Sequence, residues 1–273
     1  FKSLAFYFEN DVPGPSNTNS VTTTLLFQDI YRTYTATTNI SQYESISRNA
    51  FTPNSYYCKL SGNIPSNLIG DGITVTYSDY CVRAQKTTDF FNSVIIPQFN
   101  KAVDEFIPEI YTVLNENANN KITINMIGSA SALGEEDYNV SLSKRRVDSV
   151  RKFLETYEIG GVSLKKFFGT KQIIINDPKT AGENIIIPDG DSGLPGFSVN
   201  CTSNVIDGSG YIAYGKVYSV NAMACRRVRF DGINVELQDI IAEDVQGIGD
   251  PAKEQESIKI KPIPRVQPTV DVN

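Results

Sequence analysis

The chain of 273 residues contains no histidine. That removes His-based triads, His general bases and every zinc site that needs an imidazole. It holds four cysteines, Cys58, Cys81, Cys201 and Cys225, widely spaced and without a C-x-x-C pair. A four-thiolate zinc site is therefore not expected. The even count allows two disulfides in an oxidising compartment, with three connectivities, of which Cys58–Cys81 closes a local loop and is favoured. Four buried free thiols are the alternative. No apolar run reaches the length of about 18 residues that a transmembrane helix needs, so the chain is not expected to be transmembrane itself. Charge of one sign does not dominate: 25 Lys and Arg against 31 Asp and Glu give −6. This argues against a nucleic-acid partner, although local basic patches can still bind anions. The chain opens at Phe1 without Met or a signal sequence, and a mature or trimmed form is expected.

What is present is clearest between Lys121 and Tyr157. Ile122, Ile124 and Met126 alternate as in a half-buried strand, which Gly128 ends. A loop of small residues follows, and Glu135, Glu136 and Asp137 then precede a helix, opposing the positive end of its dipole. Val140, Val147, Val150, Leu154 and Tyr157 recur at spacings that predict one buried helix face. Lys144, Arg145, Arg146, Arg151 and Lys152 are expected to make the remaining surface strongly positive.

Gly128 and Ser131, then Gly134, Tyr138-Asn139, Leu142-Ser143, Arg146-Val147 and Val150, keep an ungapped spacing. In this the stretch resembles the OmpA-like (OmpA/MotB C-terminal) family, whose pattern runs G-H-T-D-x-x-G-x-x-x-Y-N-x-x-L-S-x-x-R-A-x-x-V and whose members commonly bind peptidoglycan. The resemblance makes Arg146 the partner of a ligand carboxylate. It also puts Ser131 where the family carries the Asp that grips the diaminopimelate of the stem peptide. Cys225-Arg226-Arg227-Val228 is similar to the N-R-R-V that leads into the family's last strand, with Cys225 in place of Asn. The doubled Arg145-Arg146 resembles OmpA-like proteins of Bacteroidota more than enterobacterial ones. The candidate pocket is accordingly Ser129, Ser131, Tyr138, Asn139, Arg146, Arg226 and Arg227.

The rest of the chain is read around this core. Residues 1–13 are aromatic-rich and predict a first strand with Leu4, Phe6 and Phe8 on one side. Residues 14–86 fit the family poorly and are read as an insertion, with a helix near Leu25–Tyr34 and a strand near Ile73–Tyr77. Its tyrosines (Tyr31, Tyr34, Tyr43, Tyr56, Tyr57, Tyr77, Tyr80) form either a contact surface or, as the more ordinary reading, packing. Residues 87–176 are the core. There Phe91, Ile95, Phe99, Val103, Phe106, Ile110 and Val113 predict a helix that Pro97 breaks and Pro108 kinks. KQIIIN, from Lys171 to Asn176, predicts a strand.

Residues 177–210 read as a loop insertion, in which Asp189-Gly190-Asp191-Ser192-Gly193 is an ordinary turn before it is a calcium loop. Residues 211–240 supply the last helix and strand, and 241–273 an extended Pro-rich segment, either a free tail or an arm on a neighbour. The expected fold class is thus α/β (α+β): an OmpA-like βαβαβ-type mixed sheet with helices on one face and two insertions.

No catalytic group or cofactor is expected. Ser129 and Ser131 do not form a G-x-S-x-G elbow and have no histidine to activate them, and Glu135/Glu136 is a helix-start charge cluster. The expected function is a non-enzymatic assembly component of a bacterial envelope or extracellular complex, with other protein subunits as partners and a degenerate peptidoglycan pocket. The alternative is a genuine peptidoglycan-binding anchor of the periplasm. The expected place is periplasmic or outer-membrane-associated, with an extracellular particle as alternative.

Overall fold

The structure is a computed structural model that describes residues 4–14, 20–50, 63–64, 75–76, 87–131, 135–188, 199–201 and 220–238. It is an α/β fold around a five-stranded mixed sheet. Strand β1 (Ala5–Tyr7) pairs antiparallel with β11 (Arg227–Glu236), which pairs antiparallel with β4 (Lys121–Ser129). On the far side of β4, strands β7 (Ile173–Ile175) and β8 (Lys179–Gly182) lie one after the other along it, both parallel. The four strands expected near Leu4, Ile122, Ile173 and Arg229 are all in this sheet. The extra one, β8, falls in the segment 177–210 expected to be loop. Lys179-Thr180-Ala181-Gly182 has no apolar alternation to betray it, and its place is set by pairing with Ile127–Ser129.

Alternation decides the main core. Leu4, Phe6 and Phe8 of β1, Ile122, Ile124 and Met126 of β4, and Val228 and Phe230 of β11 are buried together on one face. Helix α4 (Glu136–Thr156) lays Val147, Val150, Phe153 and Leu154 on that face, and helix α1 (Phe27–Tyr34) adds Phe27 and Ile30. Phe6 makes edge contacts with Phe27 at 5.0 Å and Phe153 at 6.2 Å. Such aromatic pairs add about 0.5–1.5 kcal/mol each beyond burial.

The helical stretch 87–116, called α3, is continuous rather than broken at its prolines. The turns just before them widen to π geometry, Phe91–Ile95 before Pro97 and Ala102–Phe106 before Pro108. There the amides of Ile96 and Ile107 reach back to Phe91 O and Ala102 O. A widened turn makes room for the proline ring and lets the helix continue despite the missing donor. Gln98 of this helix also caps the sheet edge, its Oε1 accepting the Ala5 amide at 3.1 Å.

Helices on one face describes most of the sheet, but not its β1 edge. Ala5 and Tyr7, on the opposite side of β1, belong to a second buried cluster with Phe90, Phe91, Val94 and Ile95 of α3. Helix α2 (Thr37–Ala50) contributes Tyr43, and helix α6 (Val220–Cys225) contributes Met223 and Ala224. Tyr34 and Tyr43 are 0% and 1% exposed, so these tyrosines pack the insertion and are not a contact surface. Tyr31 is stacked on Phe99 at 3.8 Å. Tyr56, Tyr57, Tyr77 and Tyr80 lie outside the described residues. Of the strand expected near Ile73–Tyr77, β3 (Val75–Thr76) is described, paired with β2 (Asn63–Ile64).

Two smaller hairpins, β5 (Glu158–Ile159) with β6 (Val162–Ser163) and β9 (Ile186–Ile187) with β10 (Val199–Asn200), and a short helix α5 (Lys165–Gly169) complete the described fold. Cys201 and Cys225 are joined in a disulfide within the second cluster, which rules out free thiols at those two positions. Cys58 and Cys81, the pair favoured from sequence, lie outside the described residues. So do the segment Asp189–Gly193 and residues 241–273.

At Gly128 strand β4 lies tight against α4. A Cβ there would lie 2.5 Å from Ser143 O and 2.9 Å from Val147 Cγ2. The first neighbour is helix backbone and cannot step aside. Gly128→Ala is expected to destabilise the protein by about 1–3 kcal/mol, the cost of overpacking. Chemical denaturation that finds the variant as stable as wild type would refute this contact.

Candidate functional site

The expected pocket residues cluster where β4 ends, α4 begins and β11 enters the sheet. Ser129 is 2% exposed and its hydroxyl donates to Cys225 O at 2.7 Å, with Arg227 O at 3.3 Å. Arg146 is 0% exposed. Its Nε donates to Val12 O at 3.0 Å, one terminal nitrogen to Ser129 O at 2.8 Å and the other to Glu9 O at 3.1 Å. The three carbonyls come from two chain segments, so this guanidinium ties the stretch after β1 to the end of β4. Burial first, and Arg226 second, push Arg146 down to about 9. At neutral pH it stays charged, and its bonds to carbonyls are charge-assisted.

Arg226 is also 0% exposed, with the ring of Tyr43 6.0 Å from its guanidinium carbon. Burial opposes its charge, but Tyr43, Tyr34 and Glu9 outweigh this and hold it protonated. Arg227 is 2% exposed, and Ser131 7%. Asn139 is buried and donates from Nδ2 to Glu183 Oε2 at 2.6 Å, joining α4 to the residue after β8. Tyr138 stands at the rim, its hydroxyl donating to Asp11 Oδ1 at 3.2 Å. Burial and the Asp11 carboxylate raise its phenol above the usual tyrosine range. Thus six of the seven expected residues are buried together, and Tyr138 is half-buried at their edge. Of the loop after Ser131, residues 132–134 lie outside the description.

The positive surface expected on α4 is not what forms. Lys144 and Arg151 are exposed, but Arg145 is 0% exposed and Lys152 half-buried. Arg145 donates from Nε to Pro13 O at 2.9 Å and from a terminal nitrogen to Ser20 O at 2.7 Å, with Tyr138 stacked 5.4 Å from it. Burial lowers its affinity for the proton, against the pull of Tyr138 and Asp11.

One and two turns further, the same helix continues to hold this chain segment. Ser149 Oγ donates to Leu25 O at 2.9 Å, Asp148 accepts the Thr23 amide at 2.9 Å, and Lys152 donates to Thr23 O and to Asp148. The described parts of the segment from Glu9 to Leu25, hereafter the strap, are therefore fastened to α4 mostly through their main chain, with the Tyr138–Asp11 bond between side chains. Sequence reading missed this because a basic run on a helix ordinarily reads as solvated. The available signal was position: Arg145, Arg146, Ser149 and Lys152, spaced i, i+1, i+4 and i+7, fall on one stripe.

Glu9, whose carbonyl Arg146 holds, also carries a titrating carboxyl. Burial raises it above 4.5, and Arg226 partly offsets this. A raised carboxyl means the folded state binds more protons than the unfolded one as pH rises through that window, so stability falls there. Glu9→Gln should flatten the decline in folding free energy as pH rises above the ordinary carboxyl range. Identical pH slopes for wild type and variant would remove Glu9 from the account.

Ser129 Oγ is spent on a carbonyl in a buried position. Among the described residues there is no group of three or more Asp, Glu or Cys side chains placed to hold a metal ion. No described helix is long and apolar enough to cross a membrane. Compared with protein-family models, with curated proteins and with solved structures, the chain matches none.

Proposed function

We propose that this chain is a non-enzymatic OmpA-like structural component of a bacterial envelope-associated or extracellular assembly, and that its peptidoglycan pocket is degenerate. The observation that carries this reading is the commitment of Arg146. The arginine that the resemblance would place on a ligand carboxylate is buried and donates to Glu9, Val12 and Ser129 carbonyls. A stem-peptide carboxylate could reach it only by displacing the strap. Ser131, in place of the acid, offers no ionic partner for an ammonium group, and loss of such a partner typically costs about 100-fold or more in affinity.

The Cys201–Cys225 disulfide supports an oxidising setting, periplasmic or extracellular. Its partners on this reading are other protein subunits.

Co-sedimentation of the purified chain with insoluble peptidoglycan sacculi tests the proposal. The wild-type chain is expected to stay in the supernatant. Retention that soluble stem peptide competes away would replace the scaffold reading with that of a peptidoglycan anchor.

A further inference from the structure

A cavity of about 280 Å³ opens between α4, the strap and the jog at 176–178 that separates β7 from β8. None of the expected pocket residues lines it. It lies where the sheet edge is split: β7 stops at Ile175, β8 resumes at Lys179, and the residues between them line it. Val147 and Ile175 make its apolar floor, with Val21 of the strap at the side.

The charges around it are not equivalent. Asp148 is spent on Lys152 and the Thr23 amide, and Arg151 is paired with Glu155 at 2.7 Å. Lys144 on the helix wall and Asp177 on the jog are both exposed. Neither makes an ion pair or side-chain hydrogen bond among the described residues, with each other or with a third group.

We propose that this cavity binds a small zwitterion of amino-acid or dipeptide size, its carboxylate on Lys144, its ammonium on Asp177 and its aliphatic body over Val147 and Ile175. An anion alone would meet Asp177 as a repulsive neighbour, and a cation alone would meet Lys144. A ligand carrying both charges satisfies both walls. The volume lies just under the range of about 300–1,000 Å³ typical of drug-sized ligands, which sets the size class. Both charged groups are solvated, so the contacts are screened and binding is weak, with Kd on the order of millimolar.

Titrations of the full chain followed by amide chemical shifts test this, with leucine, alanyl-leucine and N-acetyl-leucinamide as probes. Saturable shifts confined to residues around Val147 and Ile175 are expected with leucine or alanyl-leucine, and none with the charge-blocked amide. Which of the two zwitterions binds more tightly separates a free amino acid from a peptide as the source. Lys144→Glu and Asp177→Lys should each weaken binding by about fivefold or more. The double swap Lys144→Asp with Asp177→Lys should recover it, because a zwitterion can reverse. Both positions are exposed, so the variants are expected to fold, and a wild-type spectrum away from the cavity checks that. The proposal is overturned if neither zwitterion shifts these residues at tens of millimolar, if the blocked amide binds equally, or if the single swaps leave affinity unchanged.

Discussion

Arg146→Ala is expected to destabilise the protein by about 3–5 kcal/mol, measured by urea denaturation. Three main-chain carbonyls, of Glu9, Val12 and Ser129, lose a charged donor at once. A hydrogen bond to a charged group is worth about 1.5–3 kcal/mol, and a buried acceptor left without a partner costs about 1–3 kcal/mol. Against this stands the relief of burying a guanidinium next to Arg226, which the lowering of Arg146 to about 9 reflects. Glu9 O keeps the Val12 amide at 3.4 Å, but all three carbonyls lose a charge-assisted bond, and that loss outweighs the relief, so the sign is destabilising.

Two further variants separate the terms. Arg146→Met restores volume but no donor and should recover little. Arg146→Lys restores charge, but a single ammonium cannot span acceptors set around a planar fork, so it should recover only part. A loss below about 1 kcal/mol for Arg146→Ala would sink the clamp, and with it the main support for a degenerate pocket.

Removing the Cys201–Cys225 disulfide should cost about 3 kcal/mol. The two cysteines are 24 residues apart in sequence, and closing a loop of that size restricts the unfolded chain by about 3.5 kcal/mol in the entropic account. The double substitution Cys201→Ala with Cys225→Ala is the cleaner form, since serine would bury two hydroxyls among residues only 2% and 3% exposed. Reduction of the wild-type chain should lower its denaturation midpoint in the same direction, while the double variant should not respond through this bond. Equal stability of oxidised wild type and double variant would contradict a structural role for this bond. The expectation is specific because Cys225 O also accepts the Ser129 hydroxyl, so the bridge helps hold β11's approach to the end of β4.

These two sites divide what could be read from sequence from what could not. The strands near Leu4, Ile122, Ile173 and Arg229 were legible because alternation of apolar side chains is a local signal that the sheet merely collects. Gly128 was read as the end of that strand, which runs on to Ser129, and the reason for glycine, a helix backbone 2.5 Å from where a Cβ would sit, is a tertiary fact. The helix over 87–116 was legible from its apolar spacing, but its continuity was not. Pro97 and Pro108 argue for breaks, and only packing on both clusters makes two widened turns the better solution. Strand β8 was illegible, since Lys179–Gly182 carries no pattern of its own and depends on an edge of β4 left open beyond Ile175.

Composition and motif by themselves determined an α/β chain without histidine chemistry and a cluster of polar and basic residues at the end of one strand. Which groups of the chain Arg146 donates to was decided only in three dimensions. Arg146 and the carbonyls of Glu9 and Val12 are more than a hundred residues apart in sequence. Long-range partners leave no periodicity behind them, and a guanidinium binds a backbone carbonyl with the same donors it would offer a carboxylate. The tertiary structure, by laying the strap across α4, is what turned a candidate ligand arginine into a fastening.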